Sequence, residues 1–195
     1  MHLKKLAALL LALCFAVFAC SCGASPDPKN AVSAALDALK AMDLDTVRQY
    51  MDYDGMMNES EGSASEETEE MNRQMFSRLS YELGETKVDG DTATVQAKIT
   101  NMDMAKVLQA YFDELYNMAG DSDEDISDEK MEEVLREILG REDNETVTNE
   151  VPIKLAKKDG GWQIQATDEL ANALTGGFFS LVNQMAETFL TPSQE

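Results

Sequence analysis

Two Asp-Gly steps, Asp89-Gly90 and Asp159-Gly160, each divide a pair of alternating apolar runs, and they constrain the fold more than any other feature of the chain. Leu79, Tyr81 and Leu83 alternate before the first step, and Ala93, Val95, Ala97 and Ile99 after it. Val151, Ile153 and Leu155 alternate before the second, and Trp162, Ile164 and Ala166 after it. A tight hairpin turn needs positive φ, which Asp and Gly tolerate. Period-two alternation sends every apolar side chain to one face of the sheet and leaves the other wet. Two antiparallel hairpins follow, each with one face that something else must cover.

The rest of the chain supplies the cover. Val32, Ala35, Leu36, Leu39 and Met42 recur at helical spacing, opened by Asp27-Pro28. Pro fits the first helical turn because its missing N–H has no partner there in any case. Asp43 can cap a second short helix carrying Val47, Tyr50 and Met51. Asp52 to Glu70 has no apolar period and much like charge, and reads as an acidic loop. Helical spacing resumes at Met71, Met75 and Phe76. Between the hairpins, Met104 to Leu115 and Met131 to Leu139 each carry an apolar face, with Gly120 and Gly140 as stops. Thr167 caps a short helix to Leu174, Gly176-Gly177 breaks it, and Phe178, Leu181, Val182, Met185 and Phe189 form a last amphipathic helix. The order predicts an α+β domain: an antiparallel sheet of about four strands, in two hairpins, covered by helices.

The first twenty residues address the chain. Lys4-Lys5 precede fourteen apolar residues, Leu6 to Ala19. As a helix these span roughly 21 Å, short of a hydrocarbon core of ~30 Å, so they read as an export signal rather than a spanning helix. Cys20 directly after Val17-Phe18-Ala19 resembles the lipobox of bacterial lipoproteins. That resemblance implies a diacylglyceryl group on Cys20, cleavage after residue 19 and anchoring to the outer face of a membrane (the outer membrane, if the host has one). Cys22 is a second candidate. Residues 20–29 then form a small, polar, Pro-bearing tether, and residues 30–195 form the single domain.

Composition excludes several chemistries. Loss of the signal removes two lysines and takes the formal charge from −21 to −23. It also removes His2, the sole histidine, and with it His-based general bases and nucleophile pairs. With Cys20 acylated, Cys22 is the one remaining thiol, which forbids an internal disulfide or a Cys-based zinc site. So acidic a chain does not bind a nucleic-acid backbone by charge. Phosphate-loop, dinucleotide and nucleophile-elbow motifs are absent, and no cofactor is expected.

A few residues still invite a site. Asp121, Asp123, Asp125 and Glu132 stand at the first, third, fifth and twelfth places of a segment that resembles an EF-hand loop, which would make the protein a calcium-binding envelope module. Ile126 stands where that loop needs Gly, and Asp128 where it is normally apolar. The plainer alternative is an acidic loop with Ser127 capping the next helix and Asp128 and Glu129 favouring its positive end. From Asp113 to Glu145 fourteen acids face three bases, either a cation- or basic-partner face or a solvated one. Tyr81 and Asp103 are the candidates for acid–base work, and neither stands in a catalytic motif. The eleven methionines after Met1 fall mainly at core spacing, and Trp162 reads as a core anchor.

The opening helix Ala31 to Asp45, the run Gly90-Asp91-Thr92-Ala93-Thr94-Val95 and the run Asp159-Gly160-Gly161-Trp162-Gln163-Ile164 resemble small secreted lipoproteins of the nuclear-transport-factor-like, cystatin-like superfamily, many of them domains of unknown function. The resemblance spans most of residues 29 to 175. It implies a cone-like sheet, with the helix pair near 102–140 as an insertion. Some members are isomerases or dehydratases, many bind small molecules in the cone, and others only mediate contacts. A non-enzymatic role is therefore expected, with a small ligand or an envelope protein as partner, and an isomerase or dehydratase as the alternative. A ligand in the cone would be lined by Tyr81, Val95, Ile99, Ile164 and Phe178.

Overall fold

The computed structural model describes residues 27–57, 66–121 and 126–190, without the side chains of 66–68, 121 and 185–190. The signal, Cys20, Asp123 and Asp125 lie outside these residues. Eight helices and four strands follow one another among the described residues.

Helix α1 (Pro28–Lys40) starts where Asp27 accepts from the Lys29 N–H at 2.9 Å. Val32, Ala35, Leu36 and Leu39 are at most 1% exposed and form the face that lies on the sheet. Each of the two leucines contributes about 1.5–3 kcal/mol through burial. The helix ends with Met42 at φ 57, the Met42 N–H donating to Leu39 and the Asp43 N–H to Ala38. This is a Schellman closure, with Met where Gly is usual. Asp43 then caps α2 (Leu44–Tyr50), accepting from the Thr46 N–H and hydroxyl.

The expected acidic loop is shorter than its text. Tyr53–Met57 forms α3, with Tyr53 fully buried and Met56 nearly so. The Asp52 carboxylate accepts from the Gly55 N–H, and a Cβ at 55 would strike it. Helix α4 (Glu66–Phe76) begins five residues before its first apolar position, Met71, and ends on Phe76, fully buried.

Strands β1 (Ser80–Asp89), β2 (Thr92–Met102), β3 (Thr146–Lys158) and β4 (Gly161–Ile164) form one antiparallel sheet in that order. Val95 lies opposite Ile153, Ala97 opposite Val151, Tyr81 opposite Ile99 and Leu155 opposite Ile164. These residues share the inner face, under α1. The outer face carries Thr94, Gln96, Lys98 and Thr100 beside Lys154, Pro152, Glu150 and Thr148. The expected alternation holds, with three differences. β1 shifts register between Leu83 and Thr86, β3 begins at Thr146, before its first strongly alternating residue, and β4 stops at Ile164, leaving Ala166 exposed. A parallel bridge from Met51 to Ile164 covers part of the outer edge of β4.

Helices α5 (Met104–Asp121) and α6 (Asp128–Leu139) enclose a second, smaller core of Met102, Met104, Val107, Val134, Ile138 and Leu139. Gly120 lies inside α5 and does not end it. Ser127 caps α6 with Asp128 and Glu129 in its first turn, and Gly140 closes it. Helix α7 (Asp168–Leu174), capped by Thr167, returns to the main core, and α8 (Phe178–Leu190) follows the Gly176-Gly177 break. No described helix is long and apolar enough to cross a membrane.

Candidate functional site

Of the five residues expected to line a cone, four lie in or against the main core and one against the second. Val95, Ile99 and Ile164 are 0–3% exposed within the main core, packed against α1 and α7 side chains. Phe178 packs against the second core. Tyr81 is half-buried beside a groove that crosses β1, β2 and β3, and its hydroxyl donates to Asp37 Oδ1 at 2.8 Å. Burial, with Asp37 as acceptor and neighbouring charge, pushes the Tyr81 phenol up to about 12. Asp103, the other acid–base candidate, caps α5 by accepting from the Ala105 and Lys106 N–H groups. Of the calcium candidates, Asp121 ends α5 and Glu132 is exposed on α6.

A cleft of about 520 Å³ lies at the opposite end of the sheet from α5, where α1 begins and the β3–β4 hairpin turns. Asp27, Asn30 and Ala31 come from the start of α1, Gln49 and Tyr50 from the end of α2, and Lys158, Asp159, Gly161, Trp162 and Gln163 from the hairpin. Asp159 and Gly160 both take positive φ, 52° and 84°, as a two-residue turn of this kind requires. That turn brings Trp162 directly opposite Lys157 on β3, with Lys157 Nζ 5.4 Å from the indole centroid. Lys157 is itself tied to Asp91 of the first hairpin at 3.3 Å, so the two hairpin tips brace each other. Trp162 is 5% exposed and forms part of the floor.

The lining mixes functional groups. Three carboxamides each offer a donor and an acceptor, two carboxylates accept, one ammonium donates, and Trp162 and Tyr50 add aromatic surface. The volume falls within the range of small-molecule sites, about 300–1,000 Å³. A second cleft, of about 500 Å³, lies between α3, α7 and α8, on Asp52, Asp168, Phe179 and Asn183. Among groups of His, Cys, Asp and Glu in the described residues, none is placed to hold a metal ion.

Sequence reasoning placed Trp162 as a core anchor, Tyr50 on a helix face, Asp27 at a helix start and Asp159 in a turn, and assigned none of them to a cleft. Asn30, Gln49 and Lys158 stand near element ends, where hydrophobic periodicity carries no information. The one available signal was the return of chain ends to one place: a capped helix start, a helix end and an Asp-Gly turn.

Comparison with known proteins adds a family. A family model described as "Domain of unknown function (DUF5105)" matches residues 32–179. No curated protein matches the chain. A solved structure described as "a putative lipoprotein (ycdA) from Bacillus subtilis" aligns over 63% of this chain and 41% of its own length, at 17% identity and a TM-score of 0.42.

Proposed function

The chain belongs to the DUF5105 family, and from that premise we propose that it is a lipid-anchored, extracytoplasmic binding protein without enzymatic activity, holding a small polar ligand in the α1–α2–hairpin cleft. The observation that carries this is the cleft itself. Its walls come from three separate elements, and its lining donates, accepts and offers aromatic surface without a concentrated charge of one sign. The anchor rests on the signal and Cys20. The absence of histidine after His2 supports a binding role, as does the engagement of Tyr81 and Asp103 in structural hydrogen bonds.

The test uses the chain from residue 20 with Cys20→Ser, which carries no lipid. Trp162 is the sole tryptophan and lies in the cleft, so its emission reports occupancy. Titration with pooled small polar metabolites is expected to shift that emission saturably for at least one pool. A flat response to all pools, with thermal unfolding equally unmoved, rejects the cleft as a ligand site. In cells, Cys20→Ser is expected to release the protein from the membrane fraction.

A further inference from the structure

We infer that the cleft takes a saccharide, and that the sugar it takes sits close to the membrane surface. The inference rests on the reading of the cleft as a ligand site and of Cys20 as the anchor.

The first argument is the kind of groups present. Asn30, Gln49 and Gln163 each carry a planar carboxamide that donates and accepts at once. Neighbouring hydroxyls on a sugar ring do the same, so each amide can engage a pair of them. Asp27 and Asp159 add acceptors, and Lys158 adds a donor. Two negative groups and one positive one spread around the rim do not make a field that would select a phosphate or a metal ion. The lining is about half apolar and half polar, which suits a ligand carrying both kinds of surface rather than a bare hydrocarbon. The apolar C–H face of a sugar fits the partly exposed Tyr50 ring while its hydroxyls reach polar walls, and Trp162, with Lys157 over its ring, lies beneath as floor. The volume, about 520 Å³, suits one or two rings.

The second argument is position. Asp27, which caps α1, is also on the rim of the cleft. It lies seven residues after Cys20. Even fully extended, seven residues reach only about 25 Å. The cleft therefore cannot travel far from the bilayer that holds the anchor. The start of α5 lies at the far end of β2, and eleven residues of strand put it roughly 36 Å away. A sugar met this close to a membrane surface is either a glycolipid headgroup or a free oligosaccharide diffusing there.

The experiment uses the same Cys20→Ser chain and the emission of Trp162. The probes are maltose, cellobiose and N,N′-diacetylchitobiose, with glycyl-glutamine and inorganic phosphate as the competing chemistries. Phosphatidylcholine vesicles with and without a diglucosyl diacylglycerol separate the two sources. A saturable shift with at least one disaccharide is expected, weakened roughly tenfold by Asn30→Ala or Gln49→Ala, the effect of about one lost hydrogen bond. Both substitutions are on exposed positions and should leave thermal unfolding unchanged, which excludes misfolding as the cause. Binding to the glycolipid vesicles but not to bare ones supports the membrane-proximal source. Binding of disaccharides without any preference for glycolipid vesicles keeps the saccharide and overturns that source. A shift with glycyl-glutamine or phosphate, and none with any sugar, overturns the saccharide while leaving the ligand site standing. Disaccharide binding that survives both substitutions unchanged overturns the assignment to this cleft.

Discussion

The core over the sheet and the core between α5 and α6 are built from different material. Among the described residues the first buries twenty-five apolar residues, drawn from eight of the twelve elements and the turns between them, and the second buries six, two of them Met. The first is closed on the inner face of four strands whose register fixes each side chain. The second rests on two helices, and α5 leaves Phe112 and Tyr116 47% and 81% exposed. A sheet core is specified residue by residue, because a slip of one position would turn every apolar side chain outward. A helical annex tolerates more, and Met adapts its shape to whatever gap remains. The two regions should therefore differ in how they answer to damage.

The largest effect is expected where the two cores are joined. Gly176 takes φ +60, and a Cβ there would lie 1.7 Å from the Met102 carbonyl oxygen at the end of β2. The Gly176 carbonyl also accepts from the Met104 N–H at 3.1 Å, and Asn101 donates to Leu174 at 2.6 Å beside it. Gly176→Ala must strain the backbone and push β2 from α7, at a cost on the order of 4 kcal/mol. Chemical denaturation checks it, and a loss under about 1 kcal/mol would mean the junction can yield.

A matched pair of truncations then separates the cores. Ile153 and Ile138 are both 1% exposed, one in each core. Ile153→Ala is expected to cost about 4 kcal/mol and Ile138→Ala about 2, because the smaller core can collapse onto the hole. Native-state hydrogen exchange should show the same order, with the α6 amides opening below the free energy that releases β2 and β3. Equal losses and equal exchange would make the two cores one cooperative unit.

That difference also marks what could be read from the chain. The hairpins and the inner-face residues were legible, since alternation and Asp-Gly turns report directly on sheet geometry. Helix α1 was legible at its start, through Asp27-Pro28, but not at its end, because Met42 fills a left-handed position where the signal would be Gly. Helix α3 was hidden in acidic text; burial of Tyr53 and the Asp52 carboxylate on the Gly55 N–H hold it, and neither has a period. The shift at Leu83–Thr86 was equally silent. Phe178 and Ile164 each carry a core signal, but only the fold says that they serve different cores. The cleft was invisible for a related reason: its lining comes from three chain ends, and only strand register and helix packing bring them together.

A smaller effect tests how far the annex depends on local signals. Ser127 accepts from the Lys130 N–H at 3.3 Å and caps α6. Ser127→Ala is expected to cost about 1 kcal/mol, the usual loss for a side-chain cap. Thr167, which caps α7 in the main core, accepts from the Leu170 N–H at 3.2 Å. If the annex relies more on local stability than the sheet core does, Ser127→Ala should lower the exchange protection of α6 alone, while Thr167→Ala should act on global stability.

The smallest expected effect at neutral pH concerns the tie between α1 and the sheet. Tyr81 on β1 donates to Asp37 on α1, and burial with that acceptor pushes the phenol from 10.0 up to about 12. Tyr81→Phe loses one partly exposed hydrogen bond, about 0.5 kcal/mol. The pH dependence is more telling. The folded chain keeps the phenolic proton up to about 12, while the unfolded chain releases it near 10.0. The folded state thus binds more protons in that window, and stability falls as pH rises through it. Below it the group contributes no slope. Thermal unfolding of wild type and Tyr81→Phe at about pH 9 and about pH 11 should therefore converge and then cross, the wild type losing its small advantage as the phenol of the unfolded chain ionises. Curves that stay parallel would show that Tyr81 titrates alike in both states, and that the sheet core is held to α1 by its apolar face alone.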